Sequence, residues 1–439
     1  LCNIEVTPEF AAALGAAYGS VLGKGCCIAT SRDSHKSSRM IYRALISGVL
    51  SSGVNVSDLE MVPIPVNRYE LKALKSRGGF HVRKSPYDPE VIDIKFLDES
   101  GMDLASTPEK KIERYFFGED FKRAIAEEIG ELSFPFHRVA ESYKDGVLNS
   151  INREALCAAN FKVVIDYAYS SASQIFPSIL GELGIEVIAL NAHLDETRIT
   201  KTKAMFDKSI SQLSQIVKTL GADLGIMLDT GAEKIFICDE TGKSLQGDCE
   251  LAVLTILACR TVKQAQIAVP VKCSRIIEEI ASKYQAKVIR TKTYSRDMME
   301  VSTRPGITLL GENLGGFIFP EFQPAFDAIF ASLKLMEMIA RNGVKLSEVA
   351  AEVPKICMLS KDISCQPELK GKVLRTIVDE YQDREMDLTD GVKLFHGEDW
   401  VLILPDPARP LIHIYAEAGS DKETQNLINE YVNKIDSIL

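Results

Sequence analysis

One pattern recurs along this chain and limits what it can fold into: an amphipathic helix, a small residue, then a short strand rich in β-branched residues. It occurs as RMIYRALISGVLSSGVNVSDLEMV, SQIFPSILGELGIEVIAL, ISQLSQIVKTLGADLGIML and SRIIEEIASKYQAKVIRT. In each, apolar residues return every three or four positions ahead of Gly53, Gly184, Gly221 or Ala286, and then run together as in a buried strand. Helices alternating with strands in this rhythm require crossover connections and mixed, largely parallel sheets. A length of 439 residues leaves room for about three such domains.

The units fall into four stretches. Residues 1-150 form a first α/β domain, closing with helical text around FKRAIAEEIGEL and FHRVAESYKDGVLNSI. Residues 151-246 open with the strand FKVVIDYAY and end at the turn DETGKSLQGD, and residues 247-354 form a third α/β block. Residues 355-439 change rhythm, with strands GVKLFHGEDWVLIL and LIHIYAEA and the helix KETQNLINEYVNKIDSIL, which reads as a smaller α+β domain.

Charge narrows the function. Fifty-one basic and 61 acidic residues give a net charge of -10, which argues against a nucleic-acid or anionic-membrane surface, so an anionic substrate needs a local basic pocket. Ten cysteines without a C-x-x-C pair, most in apolar text, read as buried free thiols of a reducing cytoplasm. No apolar run approaches the ~18 residues of a membrane span. A chain starting at Leu1 rather than Met reads as the piece of a longer one.

Some apparent motifs fail on spacing. TGKS at 241–244 lacks the glycine that a phosphate-binding loop needs, because that position is Ile237, so a β-turn fits better. GENLGG at 311–316 does not have dinucleotide-fingerprint spacing, and the six histidines form no zinc-type cluster.

Four loops can carry chemistry, the first three with a plain structural alternative. Arg83 and Lys84 flank Ser85 on a loop stiffened by Pro86 and Pro89, which suits a phosphate at that serine or an exposed turn between strands. Asp229 and Glu233, in LDTGAEK, can share a hard divalent cation, or belong to a hairpin turn in which Gly231 takes positive φ. Gly311, Gly315 and Gly316 let backbone approach a ligand whose hydroxyls Glu312 can accept, or form a plain glycine-rich loop. In LPDPARP only Arg409 is equipped to hold phosphate.

Taken in order, these loops resemble those of the α-D-phosphohexomutase superfamily, the phosphomannomutases and phosphoglucomutases, over essentially the whole chain. The family's G-x-D-x-R-x-S-S stretch corresponds to Ser31-Arg32-Asp33-Ser34-His35-Lys36-Ser37-Ser38, followed by a helix and Pro63-Ile64-Pro65. Its phosphoserine loop T-A-S-H-N-P-P-E-Y-N-G-I-K-F aligns without a gap on VRKSPYDPEVIDIKF, putting Ser85 on the phosphorylated serine and Pro86 and Tyr87 where the family has His and Asn. The metal loop D-G-D-x-D-R becomes Asp229-Thr230-Gly231-Ala232-Glu233-Lys234, with one aspartate kept, one lost to Gly231 and one lengthened to Glu233. Thr291-Lys292-Thr293-Tyr294 echoes T-K-V-G, and Gly311, Glu312 and Gly315 match the sugar loop G-E-x-S-G-H. The phosphate clamp R-P-S-G-T-E-P keeps its prolines as Pro405, Pro407 and Pro410, but not its arginine, serine and threonine. TPEFAAALGAAYG, DSHKSSRM and GGFHVRKSPYDPEVIDIKF are more narrowly similar to the mutase-like C-terminal region of mannose-1-phosphate guanylyltransferase-type chains.

The resemblance implies three similar α/β domains and a smaller fourth around a central cleft. It also implies phosphoryl transfer between O1 and O6 of mannose or glucose phosphates through Ser85, with catalysis by positioning and charge. Arg83, Lys84, Lys95 and Asp33 would serve that chemistry. Glu312, Gly311, Gly315, Lys292 and Arg409 would bind the hexose phosphate, and Ser85, Asp229 and Glu233 would hold Mg²⁺. The altered motifs leave two readings open: a phosphohexomutase, and a weak or inactive sugar-phosphate-binding or regulatory module of a nucleotidyltransferase chain.

Overall fold

In the computed structural model, which describes every residue except Tyr87, four sheets carry the chain. The first runs, edge to edge, Ile92–Asp98, Gly78–Lys84, Cys27–Arg32, Asn55–Asp58 and Leu132–Ser133. The second runs Ser244–Leu245, Ile235–Asp239, Leu224–Leu228, Lys162–Asp166 and Glu186–Leu190. The third runs Lys287–Thr291, Gln266–Pro270, Ile307–Gly311 and Phe317–Ile318. Numbered within each sheet, all three share the order fourth, third, first, second. The first three strands are parallel, and the fourth turns back antiparallel beside the third.

The repeated sequence unit is the source of that order. Each amphipathic stretch forms a helix, Lys36–Leu50, Phe176–Glu182, Lys203–Leu220 or Ile276–Lys283, and delivers the chain to a strand parallel to an earlier one. Gly53, Gly184 and Gly221 take positive φ at the helix-to-strand turn; in the fourth unit Gln285 does so, one residue before Ala286. The fourth sheet, Met358–Ser364, Leu411–Glu417, Asp399–Pro405, Val392–His396 and Met386–Asp387, is antiparallel throughout. Helices Pro367–Glu380 and Asp421–Ile438 share its core through Val373, Ile377, Ile428 and Tyr431.

Two expectations need correction. FKRAIAEEIGEL is not an α-helix but an extended strap with one short 3₁₀ turn at Ala126–Glu128. Its backbone is tied down by bonds from Ala124 and Gly130 to the carbonyls of Ser51 and Leu50, which takes away the helical partners. The cysteines are all free, as expected, but only five of the ten are buried and Cys157 is exposed. No helix among the described residues is long and apolar enough to cross a membrane.

A single apolar core runs on through the first three sheets. It joins Val66 and Tyr143, near the first sheet, to Val163 and Ile226 in the second and to Ile267 and Phe330 around the third. The loops at the strand ends of these sheets therefore sit on a common base.

Candidate functional site

Strand Gly78–Lys84 alternates its side chains, so Arg83 and Lys84 leave on opposite faces just before Ser85. Asp33, at the end of the neighbouring strand, accepts the Lys84 backbone N–H at 2.6 Å on Oδ2 and the His35 N–H at 3.0 Å on Oδ1. Burial pushes its carboxyl above the usual range. Asp33 thus shapes the loop from below. The His35 Nε2 lies 3.3 Å from the Lys84 ammonium while its Nδ1 accepts the Ser37 N–H at 3.1 Å, and burial, followed by that ammonium, lowers the pKa of the ring.

Ser85 itself is only 6% exposed. Its N–H bonds the Val91 carbonyl, and its own carbonyl accepts the Thr200 hydroxyl at 2.7 Å. Thr200 belongs to a segment, 191–202, that leaves the second sheet and crosses the loop. Lys201 N–H bonds the Pro86 carbonyl, and the Glu196 carboxylate accepts the Lys36 N–H at 2.9 Å. Tyr87, in the position of the family's asparagine, lies outside the described residues.

The Asp229 turn meets this loop from the second sheet. Asp229 Oδ1 accepts the N–H groups of Glu233 and Lys234 at 2.6 and 2.8 Å, and Oδ2 faces the Gly231 N–H at 3.3 Å. The left-handed residue is Ala232, at φ +56°, rather than Gly231. Gly231 leaves room for Arg83: a Cβ there would lie 2.6 Å from Nη1 and the guanidinium would have to shift.

Glu233 is buried and surrounded by cations. Its Oε2 accepts from Lys95 at 2.7 Å and from Arg83 at 3.3 Å, and its Oε1 from the buried Arg68 at 3.0 Å. Burial alone would raise the Glu233 carboxyl, but Lys95, Arg68 and Arg83 together hold it far below the usual carboxylate range. Asp93 on Arg83 and Asp103 on Arg68 complete a cluster of three cations and three carboxylates. The expectation that Ser85, Asp229 and Glu233 would hold Mg²⁺ meets a different arrangement. A hard dication needs carboxylate oxygens turned toward it. Here those of Glu233 point at cations and those of Asp229 at backbone amides, so the residues do not fit the ion. Among the described residues no three His, Cys, Asp or Glu side chains gather in metal-holding geometry.

The sugar-type loop joins the same assembly. Glu312, also buried, bonds Lys234 Nζ at 2.8 Å and lies 3.6 Å from Lys272 Nζ, and these cations outweigh burial to lower its pKa. Gly315, at φ +82°, sends its carbonyl to the Ile235 N–H at 2.9 Å, and Gly311 ends the strand beneath. Leu314 lines two cavities. One, of about 410 Å³, lies beside Pro86, Lys201, Phe206, Asp229 and Lys234. The other, of about 640 Å³, is lined by Lys243, Asp248, Lys272 and Asn313, with Ser360 and Tyr415 of the fourth sheet opposite.

Two predicted residues stand apart from that assembly. Lys292 is exposed, in a loop whose Thr293 bonds Asp390 of the fourth domain at 2.6 and 2.8 Å. Arg409 folds back on Asp406, with Nε to Oδ2 at 2.8 Å, and so braces its own loop. Sequence reasoning missed Arg68, Lys272 and the 191–202 segment. Lys272 in the apolar run AVPVKC was the one available signal, since a lysine there must find an anion.

Comparison with known proteins gives this geometry its context. Models of phosphoglucomutase/phosphomannomutase alpha/beta/alpha domains I, II and III match residues 2–123, 141–242 and 246–356. A phosphoglucomutase/phosphomannomutase of Thermococcus kodakarensis is 30% identical over 444 residues, covering 100% of this chain and 97% of the relative. A phosphoglucosamine/phosphogalactosamine mutase of Sulfurisphaera tokodaii is 29% identical, covering 98% and 96%. A solved phosphoglucomutase/phosphomannomutase family protein from Burkholderia thailandensis superimposes with a TM-score of 0.83 at 19% identity, covering 98% of this chain and 94% of that one. Three family models in succession and a relative 30% identical over 100% of this chain make the chain a member of the phosphoglucomutase/phosphomannomutase family of α-D-phosphohexomutases.

Proposed function

We propose that the chain interconverts hexose 1-phosphate and hexose 6-phosphate, with mannose or glucose as the sugar and Ser85 as the phosphoryl carrier. The observation behind this reading is the meeting of the Ser85, Asp229 and Glu312 loops beside two cavities with lysines in their walls, Lys201 and Lys234 in one and Lys243 and Lys272 in the other. Phosphoserine would give its phosphoryl group to O6 of the sugar while the O6 proton passes to the serine oxygen. The O1 phosphoryl would then return to the Ser85 oxygen while the serine hydroxyl proton passes to O1, leaving the 6-phosphate, so atoms and charge balance over the cycle. Lys84 and Arg83 flank the serine, Asp33 fixes the loop, Lys95 holds Glu233, and Glu312 stands among Lys234, Lys272 and the backbone turned by Gly311 and Gly315. Lys292 and Arg409 would meet the far phosphate only after turning from their present positions.

The test is a coupled assay with glucose 1-phosphate or mannose 1-phosphate and a trace of hexose 1,6-bisphosphate. Wild-type chain is expected to form the 6-phosphate and to gain about 80 Da at Ser85 by intact mass. Ser85→Ala should abolish both, and wild-type rates equal to that variant's would reject the reading. A second reading, hexose-phosphate binding without turnover as a regulatory module beside a nucleotidyltransferase, is favoured by the burial of Ser85 beneath 191–202. Calorimetric binding of hexose phosphate with no turnover would select it.

A further inference from the structure

Where the family's metal loop carries three aspartates, this chain carries Asp229, Gly231 and Glu233, and the space between the loops is filled from the opposite side. Arg83 reaches across from the serine strand until its Nη1 stands 2.6 Å from the point where residue 231 would place a Cβ. A side chain at 231 would have to displace this guanidinium from its pairing with Glu233 and Asp93. The longer Glu233 then reaches inward, past the place of a shorter aspartate, to Lys95, Arg83 and Arg68. Asp229 turns to the backbone amides of its own turn. The changes at 231 and 233 are thus two halves of one rearrangement. The resulting cluster of Arg68, Arg83 and Lys95 with Glu233, Asp93 and Asp103 is already neutral, and a dication added to it would find guanidinium and ammonium groups where it needs oxygens.

We infer that the Asp229 turn holds no divalent cation, and that the fixed cations of Arg83 and Lys95 stand in its place beside the serine loop. Hexose-phosphate handling by this chain is therefore independent of Mg²⁺. The part concerning turnover rests on the mutase reading; the part concerning the ion does not.

Manganese titration followed by electron paramagnetic resonance separates the two. Wild-type chain and Asp229→Asn, which keeps an acceptor oxygen for the turn, are expected to remove the same amount of Mn²⁺ from solution, whether none or a little held by surface carboxylates. One equivalent bound by wild type and lost in Asp229→Asn would overturn the inference. The double variant Arg83→Ser, Gly231→Asp, checked for folding by circular dichroism, is expected to gain one Mn²⁺ per chain; if it does not fold, the wild-type comparison decides alone. In the mutase assay, kcat/KM in EDTA should stay within about twofold of its value with Mg²⁺. A loss of tenfold or more would also overturn the inference. Absence of turnover in both conditions would count against the mutase reading and leave the manganese result standing.

Discussion

Glu233 shows how much one side chain decides at this site. It shares hydrogen bonds with three cations, one each from helix Ile64–Ala73 and strands Gly78–Lys84 and Ile92–Asp98, and its carboxylate stays ionised while buried. Removing the charge but keeping the shape, as in Glu233→Gln, leaves three cations facing two carboxylates. Such a break in a buried network costs about 3 to 5 kcal/mol, which chemical denaturation should register. The pH dependence follows from the same charge. The folded-state value lies below the ordinary 4.5, so the contribution is complete above that value and is lost as pH falls through and below it. Wild type and Glu233→Gln should therefore converge in stability under acid. Their partners also mark the limit of sequence reading: Ser85, Asp229 and Glu312 were found from motif order, whereas Arg68 lies 165 residues from Glu233 and carries no local sign of the pairing.

At the scale of elements, the helix-then-strand units were legible because period and capping are local. Strand order within each sheet was not legible, because parallel crossovers narrow the topologies and only the tertiary pairing selects one. The strap at 121–132 was not legible, since its apolar spacing suits a helix and only its bonds to Leu50 and Ser51 prevent one. The 191–202 segment was equally silent, being polar text after a strand, yet it lies across the serine loop. Thr200→Val removes the hydroxyl that holds the Ser85 carbonyl. Loss of about 1 kcal/mol there should speed amide exchange across 85–91 by about fivefold, readable by mass spectrometry, without changing the melting temperature of the whole chain. If the segment governs access to Ser85, the same variant should take up phosphate from a hexose bisphosphate faster than wild type.

The whole molecule is held in two ways. The first three sheets share a core, locked where Tyr143 donates to Asp327 and Gln323 bonds the same carboxylate at 2.7 Å. The fourth sheet has its own core and meets the third domain at a small apolar cluster of Val271, Trp400, Leu402 and Leu404 that polar bonds reinforce. There Lys393 donates to the Val271 carbonyl at 2.9 Å and lies 3.7 Å from the Trp400 ring, while Glu417 accepts the Trp400 indole N–H at 2.7 Å and the Arg275 N–H at 3.0 Å. Burial lowers the Lys393 pKa to about 8. The unfolded chain therefore binds more protons than the folded one between about pH 8 and the ordinary 10.5, and stability from this group rises with pH in that window. Relative to Lys393→Met, wild type should gain about 2 kcal/mol across it, measured by urea unfolding at matched salt.

The sequence by itself determined the repeated α/β units, the different rhythm of the last 85 or so residues, and the order of the loops, because periodicity, turn residues and motif spacing are properties of neighbouring positions. It also showed that the acidic turn had lost an aspartate at 231. Only the tertiary structure decided what that loss means. The charges that fill the turn come from residues 68, 83 and 95, and the segment that covers Ser85 comes from 191–202. Both depend on distances between distant parts of the chain, which exist only once the shared core has brought the sheets together.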